Sequence, residues 1–151
     1  MPKSIFDLQA RTDLVERILR LEPDAPRRWG TLSVGGMLCH VADSLEQALG
    51  RRPDSDRSNI FLRKVVKHLV LHLPMPKGAS TSAKMDPAKE GTRPQEFERD
   101  RNRVLALLEE AANRPEDRPF APHPAFGPLT RRQRGILAWK HINHHLRQFG
   151  G

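Results

Sequence analysis

The chain of 151 residues carries 26 Lys and Arg against 18 Asp and Glu, a net charge of +8, with 37% apolar residues and one cysteine. This length suits one domain with one core, and no stretch approaches the roughly 20 apolar residues of a membrane-spanning helix. A lone thiol excludes an internal disulfide and a cysteine-based zinc finger.

The opening residues Pro2, Lys3 and Ser4 lead into an amphipathic stretch without the pattern of a cleaved leader, so a cytoplasmic protein with no membrane partner is expected. The positive charge favours polyanions, anionic small molecules or plain solubility, and does not choose among them. With six Phe, two Trp and no Tyr, few rings are available for stacking bases, so nucleic acid is not the expected partner.

In chain order, Ile5, Leu8, Leu14, Ile18, Leu19 and Leu21 fall at helical spacing and predict a first helix over 5–21, stopped by Pro23. Ser33 is the expected N-cap of a second helix running to Leu49 and closed by Gly50, with Val34, Met37, Leu38, Val41, Leu45 and Ala48 as its stripe. A third helical run over 58–73 ends at Pro74 and Pro76. Residues 74–94, rich in Pro, Lys, Gly, Ser and Thr, predict a long mobile loop suited to covering a site. Pro94 in a first turn, followed by Glu96 and Glu98, opens a helix that carries Phe97, Val104, Leu105, Leu107 and Leu108 to about residue 112. A Pro-rich connection over 113–129 leads to the last helix, where Thr130 and Gln133 fit a capping box. No segment alternates with period two, so the expected fold is all-α: one helical-bundle domain over 1–151, with an extra short helix and long loops.

The histidines carry the chemistry. On the last helix, Ala138, Trp139, Ile142, Leu146 and Phe149 form an apolar stripe with His141 and His145 at its edge, one turn apart, whereas His144 turns toward Lys140 and Arg147. Two imidazoles at i and i+4 can share a metal ion from one helical face, although Ile142 stands where a zinc protease has its glutamate. His40, at the edge of the second helix's stripe beside Gly36, Ser44 and Gln47, is the third candidate. His68 and His72 repeat the spacing inside an apolar run and read instead as a helix face with solvent-facing edges. His123, in a His-Pro-Ala-Phe-Gly turn, reads equally as a pocket residue or a helix cap, and Gln148 as a partner orienting one of the ligating imidazoles or as a surface residue. Cys39 reads as a small buried apolar group, Asp43 and Glu46 as a solvated helix face, and Trp29 and Trp139 as packing residues.

Met37-Leu38-Cys39-His40 on an early helix, together with His141-Ile142-Asn143-His144-His145-Leu146-Arg147-Gln148 on the last, resembles the DinB-like (DinB/YfiT) superfamily of metalloenzymes. Trp29, Leu32-Ser33 and the turn from His123 to Thr130 point to a branch of it carried as a domain of unknown function. Arg147 replaces a frequent glycine and Val34 a frequent proline of that pattern. The resemblance implies a four-helix bundle whose His40, His141 and His145 hold a divalent metal, zinc or nickel, and it implies pairing into a homodimer.

Relatives in the superfamily include thiol-dependent transferases and isomerases, so the resemblance also implies a low-molecular-weight thiol and a small-molecule substrate. Three imidazoles would leave the metal an open position, which lowers the pKa of a thiol or water placed there. Arg147 is a cation suited to an anionic cosubstrate. Metal-dependent hydrolysis ranks lower for want of a carboxylate base, and no catalytic residue is assigned. Two other classes stand beside this reading. One is a non-catalytic metal-binding or stress-response bundle, with His123 or His68 closing a fourth bond. The other is a basic nucleic-acid module using Arg131, Arg132, Arg134, Lys140 and Arg147, which read more simply as a solvated face.

Overall fold

A computed structural model describes all residues from 1 to 151. The regular structure is all helical, with five helices and no strands; the only β-type pairing is an isolated bridge between His123 and Gly127.

Helix α1, Leu8–Leu19, starts later than the apolar pattern because the Asp7 carboxylate accepts from the backbone N–H groups of Gln9 and Ala10. Ile5 is nevertheless buried: it lies in the turn before the helix, its N–H donating to the carbonyl of Gly135 at 3.2 Å. Helix α2, Val34–Ala48, opens where expected, with Ser33 Oγ accepting from Gly36 N at 3.0 Å. The third run is split. A wide π-helical turn, Leu62–Val66, passes directly into α3, Lys67–His72, which buries Leu71 but leaves Val65 and Leu69 exposed.

Helix α4, Phe97–Ala112, begins after Pro94 rather than around it. The Glu96 side chain caps it by accepting from Glu98 N and Arg99 N at 2.9 and 2.8 Å, which puts the first turn beyond the proline. Helix α5, Arg131–Gln148, carries the expected capping box of Thr130 and Gln133.

The main core joins α1, α2, α4 and α5 through side chains such as Leu14, Ile18, Met37, Leu38, Leu108, Ile142 and Leu146. A smaller cluster of Leu71, Phe126, Ile136 and Leu137 seats α3 against α5. Residues 74–94 contain a short 3-10 turn, Ala83–Met85, and return to α2 at two points. One contact is made by the Met85 carbonyl and the other by Thr92.

Thr92 leads to a correction. Asp43, expected on a solvated face, is 0% exposed. Helix α2 is apolar on most of its circumference and packs on nearly every side, so its carboxylate has no solvent to face. Its oxygens accept instead from Thr92 N and Thr92 Oγ1, both at 2.7 Å, and from Arg103 Nη2 at 2.9 Å, while Arg52 Nη2 lies at 3.2 Å. Glu46 shares the Arg103 guanidinium at 3.0 Å. Removing one partner of a buried charge network strands the others, typically at a cost of about 3–5 kcal/mol. Because Arg52 and Arg103 keep some solvent contact, Asp43→Ala is expected to lower unfolding stability by about 3 kcal/mol, the low end of that range, as read by chemical denaturation.

Candidate metal centre

The three histidines selected by spacing come together. His40 from α2 and His141 and His145 from α5 present one ring nitrogen each, all within 4.8 Å of one another. Ring centroids lie 4.8 Å apart for His40 and His141, 4.8 Å for His40 and His145, and 4.7 Å for His141 and His145, each pair edge-on. The Nε2 atoms of His40 and His141 are 2.9 Å apart.

Partners on the outer nitrogens decide where the lone pairs point. His40 Nδ1 lies 2.7 Å from the carbonyl oxygen of Met85, which can only accept, so the proton sits on Nδ1 and Nε2 is left bare toward the other rings. His145 Nδ1 donates to Gln148 Oε1 at 2.9 Å, and Gln148 Nε2 donates to the carbonyl of Trp29 at 2.7 Å, which fixes the amide's orientation. Gly30 makes this second chain possible. Its φ of +79° suits glycine, and a Cβ there would overlap Gln148 Nε2.

Burial then keeps the rings neutral. Desolvation lowers the pKa of His40, drives that of His141 well below its ordinary value with help from its imidazole neighbours, and takes His145 down to about 3. Neutral imidazoles are the form that ligates metal. Tetrahedral bonds of about 2.0–2.1 Å place ligand atoms roughly 3.3 Å apart, so the observed spacing requires only small ring rotations to suit a divalent cation. The residues present therefore fit a metal ion.

Other candidates lie elsewhere. His68 and His72 lie with their rings tilted and 4.2 Å apart on the exposed side of α3, His72 Nδ1 donating to the carbonyl of His68, and they join no group of three potential ligands. His123 is also outside the group: its Nδ1 accepts from the N–H groups of Ala125 and Phe126 at 3.1 and 3.2 Å, and its ring stacks on Phe126. His144 borders the centre, edge-on to His145 at 5.2 Å and to Trp29 at 5.7 Å. Cys39 is buried, and its thiol is pushed up to about 12, chiefly by desolvation. Of the five cations considered for nucleic acid, Arg134 is buried and donates to the carbonyl of Ala121, while Lys140 donates to the carbonyls of Val70 and Leu73 at 2.6 Å. They do not form one free basic face.

Over residues 3–150 the sequence matches the family model described as Protein of unknown function (DUF1569). The chain belongs to that family. No curated protein and no solved structure matches it. In this DUF1569 chain, sequence reasoning missed three supports of the centre. The Met85 carbonyl is a backbone group and leaves no side-chain signal. Gly30 is marked only by its place next to Trp29. Asp43 was detectable: Asp43 and Glu46 are the only charges in α2, as on a helix buried nearly all round.

The His123 turn has a pH signature. Its folded pKa is lowered to about 4 from 6.5, chiefly by burial, so the unfolded chain takes up the proton first as pH falls. Stability present above pH 6.5 is thus lost on descending toward pH 4, by about 3 kcal/mol from this group. An Asn Oδ1 can accept from the same two N–H groups, so His123→Asn is expected to keep the turn and lose about 3 kcal/mol less over that interval, as read by denaturation at stepped pH.

Proposed function

We propose that this chain is a DinB-like divalent-metal enzyme, a four-helix bundle of α1, α2, α4 and α5 with α3 as an addition. In this reading His40, His141 and His145 hold zinc or nickel, and the protein catalyses thiol-dependent transfer or isomerisation on a small molecule. The observation that carries it is the convergence of three neutral imidazoles, each presenting one ring nitrogen within 4.8 Å of the others, with Nδ1 of His40 and of His145 donating to partners outside the group. A bound divalent cation supplies Lewis acidity, bringing the pKa of a thiol at its open position toward neutrality.

The chain's own residues do the rest. Met85 and Gln148 hold two of the rings in the ligating tautomer. Structural zinc usually has four protein ligands. Neither His123 nor His68 belongs to the histidine group here, which favours an open centre over a closed structural one. No helix is long and apolar enough to cross a membrane. A cytoplasmic location and a homodimer belong to the same proposal through the family resemblance.

Elemental analysis tests it. One equivalent of zinc or nickel per chain is expected in the parent, with loss in His40→Ala, His141→Ala and His145→Ala and full retention in His72→Ala. Gln148→Ala is expected to weaken metal affinity about 10–100-fold, the usual effect of losing the partner of a ligating imidazole. Small thiols supplied with electrophilic acceptors should then turn over only with the metal-loaded protein. Metal retained in full by His145→Ala would reject the site, and a loaded protein inert to the whole panel would favour the non-catalytic bundle.

A further inference from the structure

A second feature of α5 is a cleft of about 480 Å³ between its outer face and the C-terminal end of α3. Small-molecule sites commonly occupy roughly 300–1,000 Å³. Lys3, Lys140 and Arg147 line this cleft, and no carboxylate does. None of the three cations forms an ion pair anywhere in the chain.

We propose that this cleft binds a small organic anion, a phosphate or carboxylate carried on an apolar body, with Lys3, Lys140 and Arg147 gathered around the charge.

Lys140 differs from an ordinary surface lysine. Its ammonium is held in place by the carbonyls of Val70 and Leu73 at 2.6 Å, which take two of its three protons and leave its charge uncompensated. Lys3 sits over the Trp139 ring at 5.3 Å, which carries a second cation to the same wall. Asn143 adds a neutral donor. Its Oδ1 is taken by Arg17 Nη1 at 2.9 Å, leaving its amide N–H groups free on the cleft wall. Leu71, Pro74 and Trp139 add apolar surface to the lining, so a purely inorganic ion would leave much of the cleft unfilled. Three cations without counter-charges, one of them held in place by backbone carbonyls, are an arrangement that favours an anion.

His144 connects this cleft to the metal centre: it lines the cleft, and its ring lies edge-on to His145 at 5.2 Å. An anion in the cleft is thus separated from the three-histidine group by one imidazole. That this anion is the enzyme's substrate or cosubstrate rests on the metal-enzyme reading above; anion binding itself does not.

The test uses chelator-treated protein with phenyl phosphate and benzoate as probes and benzyl alcohol as the neutral comparator, followed by nuclear magnetic resonance of the indole N–H groups. At least one anion is expected to bind ten or more times tighter than the alcohol and to move the Trp139 signal. Lys3→Gln combined with Arg147→Gln, both exposed positions, is expected to weaken that binding about tenfold or more, the usual scale for losing charge-assisted contacts. Equal binding of the alcohol, an unmoved Trp139 signal, or unchanged affinity in the double variant would overturn the proposal. The two readings separate cleanly. Anion binding in a protein that takes up no zinc or nickel would uphold the cleft and reject the metal centre. Stoichiometric metal with no anion binding would do the reverse.

Discussion

The centre depends on the hydrogen bond from His40 Nδ1 to the carbonyl of Met85, 2.7 Å long. A carbonyl accepts and never donates, so this contact decides which nitrogen of His40 carries the proton and which faces the rings of α5. It also ties the long connection between α3 and α4 to α2. The same polypeptide segment that bridges two helices is therefore what orients a buried imidazole. Rotation of that ring by half a turn would put Cε1–H where Nε2 stands and close the centre to a cation.

The position of Met85 is in turn held by charge. Seven residues further on, Thr92 donates through both its N–H and its hydroxyl to Asp43, one helical turn beyond His40. Arg103 of α4 and Arg52 converge on the same carboxylate, so α2, α4 and the connecting segment are fastened at one fully buried point. An ion pair of this kind contributes little net stability by comparison with well-packed apolar groups, but it is costly to break from one side. Its consequence is placement: it sets where the segment carrying Met85 lies against His40. On the other flank, Gln148 plays the matching part for His145, anchored through the Trp29 carbonyl across a turn that only Gly30 opens widely enough.

The elements that repeat with helical period were legible in the sequence, as were their side-chain caps. Ser33 and Thr130 begin α2 and α5 where a hydroxyl ahead of an apolar stripe places them. The three histidines were legible too, because i and i+4 spacing on one helix and a stripe-edge position on another are properties of periodicity alone. What the sequence concealed depended on tertiary partners. Asp7 and Glu96 moved two helix starts by capping, since a carboxylate can act as a cap or as an ordinary surface charge. Asp43 looked like a surface charge until α4 and the connecting segment were packed against it. The π-helical turn at Leu62–Val66 has no proline or glycine to mark it. His123 was ambiguous because both of its readings need the same exposed turn; the two backbone N–H groups it accepts from resolve its packing.

Neutrality joins these observations to chemistry. A chain with a net charge of +8 could not gather three protonated histidines within 4.8 Å of one another; burial lowers their pKa values and leaves lone pairs that need a partner. The most direct measurement is nitrogen-15 resonance of the imidazole rings during titration with zinc. The expected result is an Nδ1-protonated tautomer for His40 and His145 before and after titration, with the Nε2 signals of both shifting together with a ring signal of His141 and saturating at one equivalent. Nε2-protonated rings whose signals do not respond to zinc would contradict it.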